Sequence, residues 1–242
     1  MIKILFENIE ELSAVAIREF DKNVSYSQLI ERIAKRAHSL KKQMEKNSKI
    51  AVYLPRSIEQ IVSTLAIFES GLTYVPIDVD VAQDRVEYII KEANCKSIIT
   101  TQELYNALNE NIRYTTSLLN VKNIDSEKIN DYDEFNTIDY DTDAYIIFTS
   151  GTTGNPKGVR ISYSNLYNLI KSSYEYFKSG KKHETILLNS LSFDFSIWEI
   201  IIALSSGDCI NILEDAVRLD QKKLIEAISE KKIDSLSMTP SY

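Results

Sequence analysis

The sequence predicts an α/β protein built from mainly parallel β-sheets that are covered by helices. Short β-prone runs alternate with segments that carry an apolar residue every three or four positions, and this alternation is typical of parallel sheets. The run over residues 145–148 contains no charge, as expected for a strand buried on both faces. With 242 residues, of which 44% are hydrophobic, the chain is long enough to bury a sizeable core. We predict two α/β subdomains, over residues 1–140 and 141–242.

In the first subdomain, the spacing of apolar residues predicts helices over residues 7–20, 27–44, 57–70 and 83–93. Short β-prone runs predict strands at 49–54, 72–77 and 97–100. The helix over 57–70 has the clearest ends, because Ser57 and Gln60 have the spacing of a capping box and Gly71 is a typical helix stop. From residue 104 to 141 the periodicity is lost, and we predict a connecting region of variable structure.

The second subdomain begins with a predicted strand, loop and strand over residues 145–161. Ser162 is a predicted N-cap for a helix over 163–177. A strand at 184–189 and a helix that begins near Phe195 follow. One more strand, helix and strand are predicted at 207–214, 219–229 and 233–238.

Composition and charge exclude several classes of function. The 35 acidic and 28 basic residues give a net charge of -7, which argues against binding to nucleic acid or to an anionic membrane. Cys95 and Cys209 form no CxxC pair, and with only His38 and His183 the chain shows no metal-ligand spacing. The acidic residues between 131 and 143 lack the pattern of a calcium loop, so no metal site is predicted. No apolar run reaches membrane-spanning length and no signal peptide is evident, so a cytoplasmic location is expected.

The stretch from Thr149 to Lys157 is the predicted chemical centre. It contains four hydroxyl side chains, two glycines that free the backbone to turn its N–H groups toward one point, and one lysine: Thr149, Ser150, Gly151, Thr152, Thr153, Gly154 and Lys157. Such a loop suits an anion. A P-loop does not fit, because Pro156 stands where that motif needs glycine, and a dinucleotide fingerprint matches only in its last spacing. A hydroxyl-rich surface hairpin is the structural alternative.

The run YIIFTSGTTGNPKGV closely resembles the phosphate-loop signature of the adenylate-forming superfamily, which includes acyl-CoA synthetases, luciferases and the adenylation domains of nonribosomal peptide synthetases. GLTYVPID resembles a second signature of the amino-acid adenylation domains. The resemblance implies the N-terminal large-domain part of the adenylate-forming fold. It also implies that a carboxylate attacks the α-phosphate of ATP, that a thiol then takes the acyl group, and that the loop holds the β and γ phosphates.

A second informative stretch surrounds Asp194. A carboxylate beside Phe195 and Trp198 suits an ammonium ion, while an N-cap aspartate followed by two core aromatics is the structural interpretation. From the residues alone both stay open. In nonribosomal adenylation domains and D-alanine-activating ligases, an F-D-x-S stretch follows the phosphate loop at about this distance, and its aspartate holds the substrate's α-ammonium group. The resemblance therefore assigns that role to Asp194 and places Phe195 and Trp198 in the amino-acid pocket, with a small side chain such as threonine favoured.

Members of this superfamily usually continue for about as many residues again. That second half supplies the adenine loop, an acidic residue for Mg²⁺, the ribose contacts and a catalytic lysine, so we predict no catalytic residue here and expect this chain by itself to be nearly inactive. The resemblance implies ATP and Mg²⁺ as cofactors, with an amino acid and a phosphopantetheine carrier protein as partners. A fragment of an acyl-CoA synthetase-type ligase, and a non-catalytic module or one completed by a partner, are the alternatives.

Overall fold

The computed structural model describes residues 1–125, 138–149, 156–177 and 181–238. The strands in these ranges are β1 (Val15–Glu19), β2 (Lys22–Ser25), β3 (Lys49–Val52), β4 (Thr73–Pro76), β5 (Ser97–Thr100), β6 (Ser117–Asn120), β7 (Asp143–Thr149), β8 (Lys157–Ser162), β9 (Glu184–Ile186) and β10 (Cys209–Ile212). The helices are α1 (Ile2–Leu5), α2 (Tyr26–Gln43), α3 (Ile58–Ser70), α4 (Gln83–Ala93), α5 (Gln102–Ala107), α6 (Glu110–Thr115), α7 (Tyr163–Phe177), α8 (Asp194–Ser206), α9 (Asp215–Arg218) and α10 (Gln221–Glu230). The predicted α/β class is confirmed.

Two compact units interleave along the chain. The four-strand unit comprises the described residues of Met1–Ile30, Asn168–Ser190 and Asp194–Tyr242. The six-strand unit comprises those of Glu31–Tyr167 and Leu191–Phe193. The division into subdomains over 1–140 and 141–242 stays a prediction.

The sheet of the six-strand unit has the order β6-β5-β3-β4-β7-β8. All neighbouring strands are parallel except β7 and β8, which form an antiparallel hairpin at one edge. The sheet of the four-strand unit has the order β2-β1-β10-β9, and its one antiparallel pair is β1 with β2. The prediction of mainly parallel sheets is therefore confirmed.

Both faces of the six-stranded sheet are covered by helices. Along a strand, successive side chains point to opposite faces. Val75 and Ile146 lie in one apolar cluster with the buried residues of α4. The intervening rings of Tyr74 and Tyr145 instead contact Phe68 of α3, at centroid distances of 5.8 and 6.4 Å. This two-sided burial explains why β7 has no polar alternation in the sequence.

The ends of α3 lie where the sequence predicts them. The Ser57 side chain accepts a hydrogen bond from the backbone N–H of Gln60 at 3.2 Å, and Gly71 ends the helix in the left-handed conformation at φ 71°. The second half of the predicted capping box is wrong. The Gln60 amide is buried and donates instead to the hydroxyls of Tyr74 and Thr64, because an interior tyrosine needs a partner.

The helix predicted over residues 7–20 is also wrong, because residues 15–19 form β1. Ile17 of β1 pairs with Val24 of β2 on one side and with Ile210 of β10 on the other. The apolar spacing of this segment fits a helix as well as a strand, so pairing with a distant strand decides its structure.

Two further expectations need correction. The described residues of the region over 104–141 contain part of α5, α6 and β6, so this region is less irregular than predicted. These elements have four to six residues, too few for periodicity to reveal. The strand predicted at 233–238 is reduced, in the described residues, to a single bridge between Thr185 and Ser235.

A buried cation joins three segments of the six-strand unit. Arg36 of α2 is fully buried, and its guanidinium donates to both carboxylate oxygens of Asp125 at 3.0 and 2.6 Å. It also donates to Glu59 at 2.8 Å and to the Ser63 hydroxyl at 2.9 Å, both on α3. A bidentate pair of this kind needs the planar fork of arginine.

Arg36→Met is expected to lower the free energy of unfolding by about 3 kcal/mol, because it leaves two partly buried carboxylates without their cation. Urea unfolding measures the loss. Lys35→Met is the matched control, since Lys35 forms an exposed i,i+4 pair with Glu31 on the same helix and its removal is expected to cost less than about 0.5 kcal/mol. Equal losses for both variants would contradict a structural role for the buried pair.

In the four-strand unit, Asp208 lies just before β10 and holds two other segments. Its carboxylate accepts the backbone N–H of His183 at 2.9 Å, and its carbonyl accepts the hydroxyl of buried Tyr26 at 2.7 Å. Burial raises the pKa of the Asp208 carboxyl to about 6, and the charges of Asp234 and Glu184 add to this effect while His183 opposes it. The folded state therefore favours the neutral acid.

This raised pKa predicts a pH-dependent stability. Protonation of Asp208 contributes to the free energy of unfolding. This contribution is complete below the pKa of about 4 that the group has in the unfolded chain, and it is lost as the pH rises through the folded-state pKa. The stability of the wild type relative to Asp208→Asn is thus expected to fall between pH ~4 and ~6 and then to level off. Urea unfolding at a series of pH values tests this, and a constant difference between the two proteins would refute the assignment.

Candidate functional site

The hairpin of β7 and β8 carries the two ends of the predicted phosphate loop. Thr149, the last residue of β7, lies directly opposite Lys157, the first residue of β8. The register of the hairpin therefore brings together the first and last of the predicted phosphate-binding residues. The residues between them, Ser150, Gly151, Thr152, Thr153 and Gly154, lie outside the described residues.

The two cationic side chains of β8 have different surroundings. Arg160 pairs with Asp143 across the hairpin, with a distance of 2.7 Å from Nε to Oδ2. Lys157 is exposed, and within the described ranges its ammonium group forms no ion pair. The charge of Arg160 is thus offset by the neighbouring carboxylate of Asp143, whereas that of Lys157 is available to an anion.

A close approach between the strands shapes the base of the loop. A Cβ atom on Gly158 would lie 3.0 Å from Ile146 Cγ2 and 3.1 Å from Phe148 Cζ. Glycine therefore lets the Phe148 ring lie against the backbone of β8, since a larger residue would displace it. The same ring meets Tyr88 of α4 edge-on, at a centroid distance of 6.4 Å and an interplanar angle of 82°.

Tyr88 also contacts the loop itself. Its hydroxyl donates a hydrogen bond of 3.0 Å to the carbonyl of Pro156, the residue before Lys157. Sequence reasoning missed this residue, because a tyrosine within an amphipathic helix gives no indication of its distant partner.

The predicted substrate residues lie on the first turn of α8. Asp194 is the first residue of the helix and is exposed, and among the described residues its carboxylate has no hydrogen-bond or ion-pair partner. The helix dipole stabilises a negative charge at this end. Phe195 and Trp198 stack with their ring centroids 4.7 Å apart and an interplanar angle of 18°. The two aromatics therefore lie on one face of α8, as their spacing of three residues allows, and their role in a pocket stays a prediction.

Glu199, the residue after Trp198, was missed as a positioning residue. Its side chain is buried, and its carboxylate accepts the backbone N–H groups of Leu188 at 3.4 Å and Asn189 at 3.2 Å. It therefore fixes α8 to the segment that follows β9. A sequence signal was present, since Glu199 is the one charged residue in the otherwise apolar run IWEIIIAL.

The acidic side chains of the described structure offer little to a divalent cation. Within the described ranges, no group of three or more His, Cys, Asp or Glu side chains is placed to hold a metal ion. Likewise, no described helix is both long and apolar enough to span a membrane.

Comparison with known proteins gives one family. The model of the AMP-binding enzyme family matches residues 9–242. Similar proteins include tyrocidine synthase 1 of Brevibacillus parabrevis, which is 31% identical over 98% of this chain, and the dimodular nonribosomal peptide synthase of Bacillus subtilis (strain 168), which is 30% identical over 94%. The chain spans only 22% and 10% of these two relatives.

Solved structures show the same fold. A four-domain nonribosomal peptide synthetase, holo-AB3403 bound to AMP and glycine, is 26% identical with a TM-score of 0.82 over 98% of this chain and 17% of its own. The N-terminal subdomain of Klebsiella oxytoca NpsA, in complex with 3-hydroxybenzoyl-AMSN, has a TM-score of 0.79 at 20% identity, over 98% of this chain and 59% of its own. The fold is that of the N-terminal subdomain of adenylate-forming enzymes, as the sequence predicted.

The role of Glu199 can be tested by removing its acceptor oxygens. Glu199→Ala leaves two buried N–H donors without an acceptor and is expected to cost about 1–3 kcal/mol of unfolding free energy. Amide hydrogen exchange should also accelerate at Leu188 and Asn189. Glu226→Ala is the matched control, because Glu226 is an exposed glutamate on α10. Unchanged protection of both amides in Glu199→Ala would rule out the proposed contact.

Proposed function

We propose that this chain, which belongs to the AMP-binding enzyme family, uses ATP to activate an amino acid as an aminoacyl-AMP for transfer to the phosphopantetheine thiol of a carrier protein. The observation that carries the proposal is the exposed Lys157 opposite Thr149, which has no ion-pair partner among the described residues and ends a sequence stretch rich in glycine and hydroxyl side chains. Similarity to tyrocidine synthase 1 and to other peptide synthetases supports an amino acid as the substrate.

At the phosphate end, the proposal gives the loop the β and γ phosphates of ATP. Backbone N–H groups freed by Gly151 and Gly154 form an anion-binding concavity. The hydroxyls of Thr149, Ser150, Thr152 and Thr153 donate further hydrogen bonds to phosphate oxygens. Lys157 supplies the positive charge, and charge-assisted hydrogen bonds of this kind are roughly twice as strong as neutral ones.

At the amino-acid end, the proposal gives Asp194 the α-ammonium group of the substrate. The Asp194 carboxylate is exposed and has no partner among the described residues, so it can pair with that cation without breaking a contact within this part of the chain. The stacked pair of Phe195 and Trp198 forms one apolar wall beside it. Two large rings leave little room on that side, which favours a small side chain such as that of threonine.

The proposed chemistry has two balanced steps. An oxygen of the substrate carboxylate forms a bond to the α-phosphorus of ATP as the bond from that phosphorus to the bridging oxygen breaks and pyrophosphate leaves. Lys157 and the loop N–H groups stabilise the charge that develops on the pyrophosphate. The sulfur of the carrier thiol then forms a bond to the acyl carbon as the bond from that carbon to the phosphate oxygen of AMP breaks, so that AMP leaves and the thiol proton is released to water.

The remaining residues that the reaction requires are assigned outside the described residues. The proposal places the Mg²⁺ ligands, the adenine contacts and the catalytic lysine there, in line with the large fraction of each relative that this chain does not cover. The net charge of -7 supports a protein that does not bind nucleic acid or an anionic membrane surface, and we place it in the cytoplasm.

The phosphate role of the hairpin and the amino-acid role of Asp194 can be tested separately, by binding and by pyrophosphate exchange. In the protein that carries this chain, exchange is expected with one or a few amino acids and not with matched carboxylic acids that lack the amino group. Asp194→Ala should lower exchange at least ~100-fold, since it removes the partner of a charged group.

Lys157→Ala should weaken the binding of inorganic tripolyphosphate at least ~10-fold, as measured by calorimetry.

Each variant has a control in its own unit. Glu226→Ala removes an exposed acid from the four-strand unit and should leave exchange unchanged. Lys122→Ala removes an exposed lysine that pairs with Glu103 in the six-strand unit, and should leave tripolyphosphate binding unchanged. Equal exchange with acids that lack the amino group would instead favour an acyl-CoA synthetase-type ligase.

A further inference from the structure

Tyr88 contacts the phosphate hairpin at two points on opposite strands. Its hydroxyl donates to the carbonyl of Pro156, at the entry to β8, with a distance of 3.0 Å. The edge of its ring packs on Phe148, the residue before Thr149 near the end of β7. One side chain of α4 therefore touches both strands next to the predicted phosphate-binding residues.

The contact at Pro156 restricts the backbone that leads into Lys157. The proline ring already fixes φ of Pro156 at about -65°. The hydrogen bond from Tyr88 restrains the carbonyl, and with it the plane of the peptide between Pro156 and Lys157. In a trans peptide the following N–H points away from the carbonyl, so the Lys157 N–H is directed away from Tyr88.

The helix beneath Tyr88 is a rigid support. Val86, Ile89 and Ile90 of α4 are buried in one apolar cluster with the strands of the six-stranded sheet. The N-terminal turn of α4 is further held by Gln83, whose side chain accepts the backbone N–H of Asn109 at 3.0 Å. A hydroxyl presented from such a helix has a well-defined position.

The glycine at position 158 completes this arrangement. Because Gly158 has no side chain, Ile146 and the Phe148 ring lie close enough to β8 to fill the space where a Cβ atom would be. The ring is thus held between the backbone of β8 and the edge of Tyr88. The helix, the aromatic ring and the hairpin form one packed unit beneath the loop.

We propose that Tyr88 is a positioning residue for triphosphate binding, which ties the base of the phosphate loop to α4 through the Pro156 carbonyl and so fixes the direction of Lys157. This inference rests on the proposed function of the hairpin. Its consequence is that the backbone between Pro156 and Lys157 is held in place before the ligand arrives, and such preorganisation raises affinity.

Tyr88→Phe tests the inference, because it removes the hydroxyl and keeps the ring that packs on Phe148. Calorimetry with inorganic tripolyphosphate should show binding weakened about three- to tenfold, the range expected for one hydrogen bond. The ¹⁵N order parameter of the Lys157 amide should fall from the value of about 0.85 typical of rigid backbone. A residue with a merely structural role would lower stability and leave both quantities unchanged.

Tyr105→Phe is the matched control. The Tyr105 hydroxyl also donates to backbone carbonyls in the six-strand unit, those of Arg113 and Thr116, away from the hairpin. Its loss should leave tripolyphosphate affinity and the Lys157 order parameter at wild-type values. Phe148→Leu is a second probe. It keeps the Tyr88 hydroxyl but removes the aromatic ring that packs against Tyr88, so the hydroxyl should be held less firmly and tripolyphosphate binding should weaken.

The outcomes separate the two proposals. If the wild-type chain does not bind tripolyphosphate, the phosphate role of the hairpin fails and the role of Tyr88 fails with it. If the wild type binds and Tyr88→Phe has the same affinity and the same order at Lys157, only the role of Tyr88 is overturned. Loss of affinity in Tyr88→Phe and Tyr105→Phe alike would also overturn it, since the effect would then be one of general stability.

Discussion

The antiparallel pairing of β7 with β8 is the constraint on which the candidate phosphate site depends. β7 is an interior strand that is parallel to β4, so its position is set by the sheet. β8 turns back along it, which brings Thr149 and Lys157 opposite each other at the end of the hairpin. A loop whose two ends are fixed in this way has fewer conformations to lose when it closes on a ligand. The close approach at Gly158 and the hydrogen bond from Tyr88 add to the same restraint.

The residues proposed to bind the amino acid are held by a different kind of contact. There the functional candidates lie on the first turn of α8, and the carboxylate of Glu199 one turn further on binds backbone N–H groups of the segment after β9. A buried carboxylate is costly unless its oxygens are satisfied, and here the backbone satisfies them. The helix can therefore present Asp194 to solvent while a neighbouring acid performs a purely structural task.

Membership of the AMP-binding enzyme family is the reason to propose one reaction for the β7–β8 hairpin and the start of α8. Activation of a carboxylate by ATP requires that both the triphosphate and the acid are bound in fixed positions, because the reacting oxygen and phosphorus must be held in line. The hairpin supplies an exposed cation for the first. The start of α8 supplies an exposed anion suited to the second when the acid is an amino acid. The relatives of this chain include peptide synthetases, and one similar solved structure is bound to AMP and glycine.

The sequence by itself determined the features that depend on neighbours along the chain. The α/β class, the cap residues Ser57 and Gly71, the strand, loop and strand over residues 145–161 and the spacing of Phe195 and Trp198 all follow from the local sequence. Tertiary structure decided the rest, because the partner is remote in sequence: β10 makes a strand of residues 15–19, and buried Tyr74 draws the Gln60 amide away from its cap. Tyr88 likewise has its role only because folding brings Pro156 within hydrogen-bond distance. Local propensity is a weak preference that a distant strand or a buried polar partner readily outweighs.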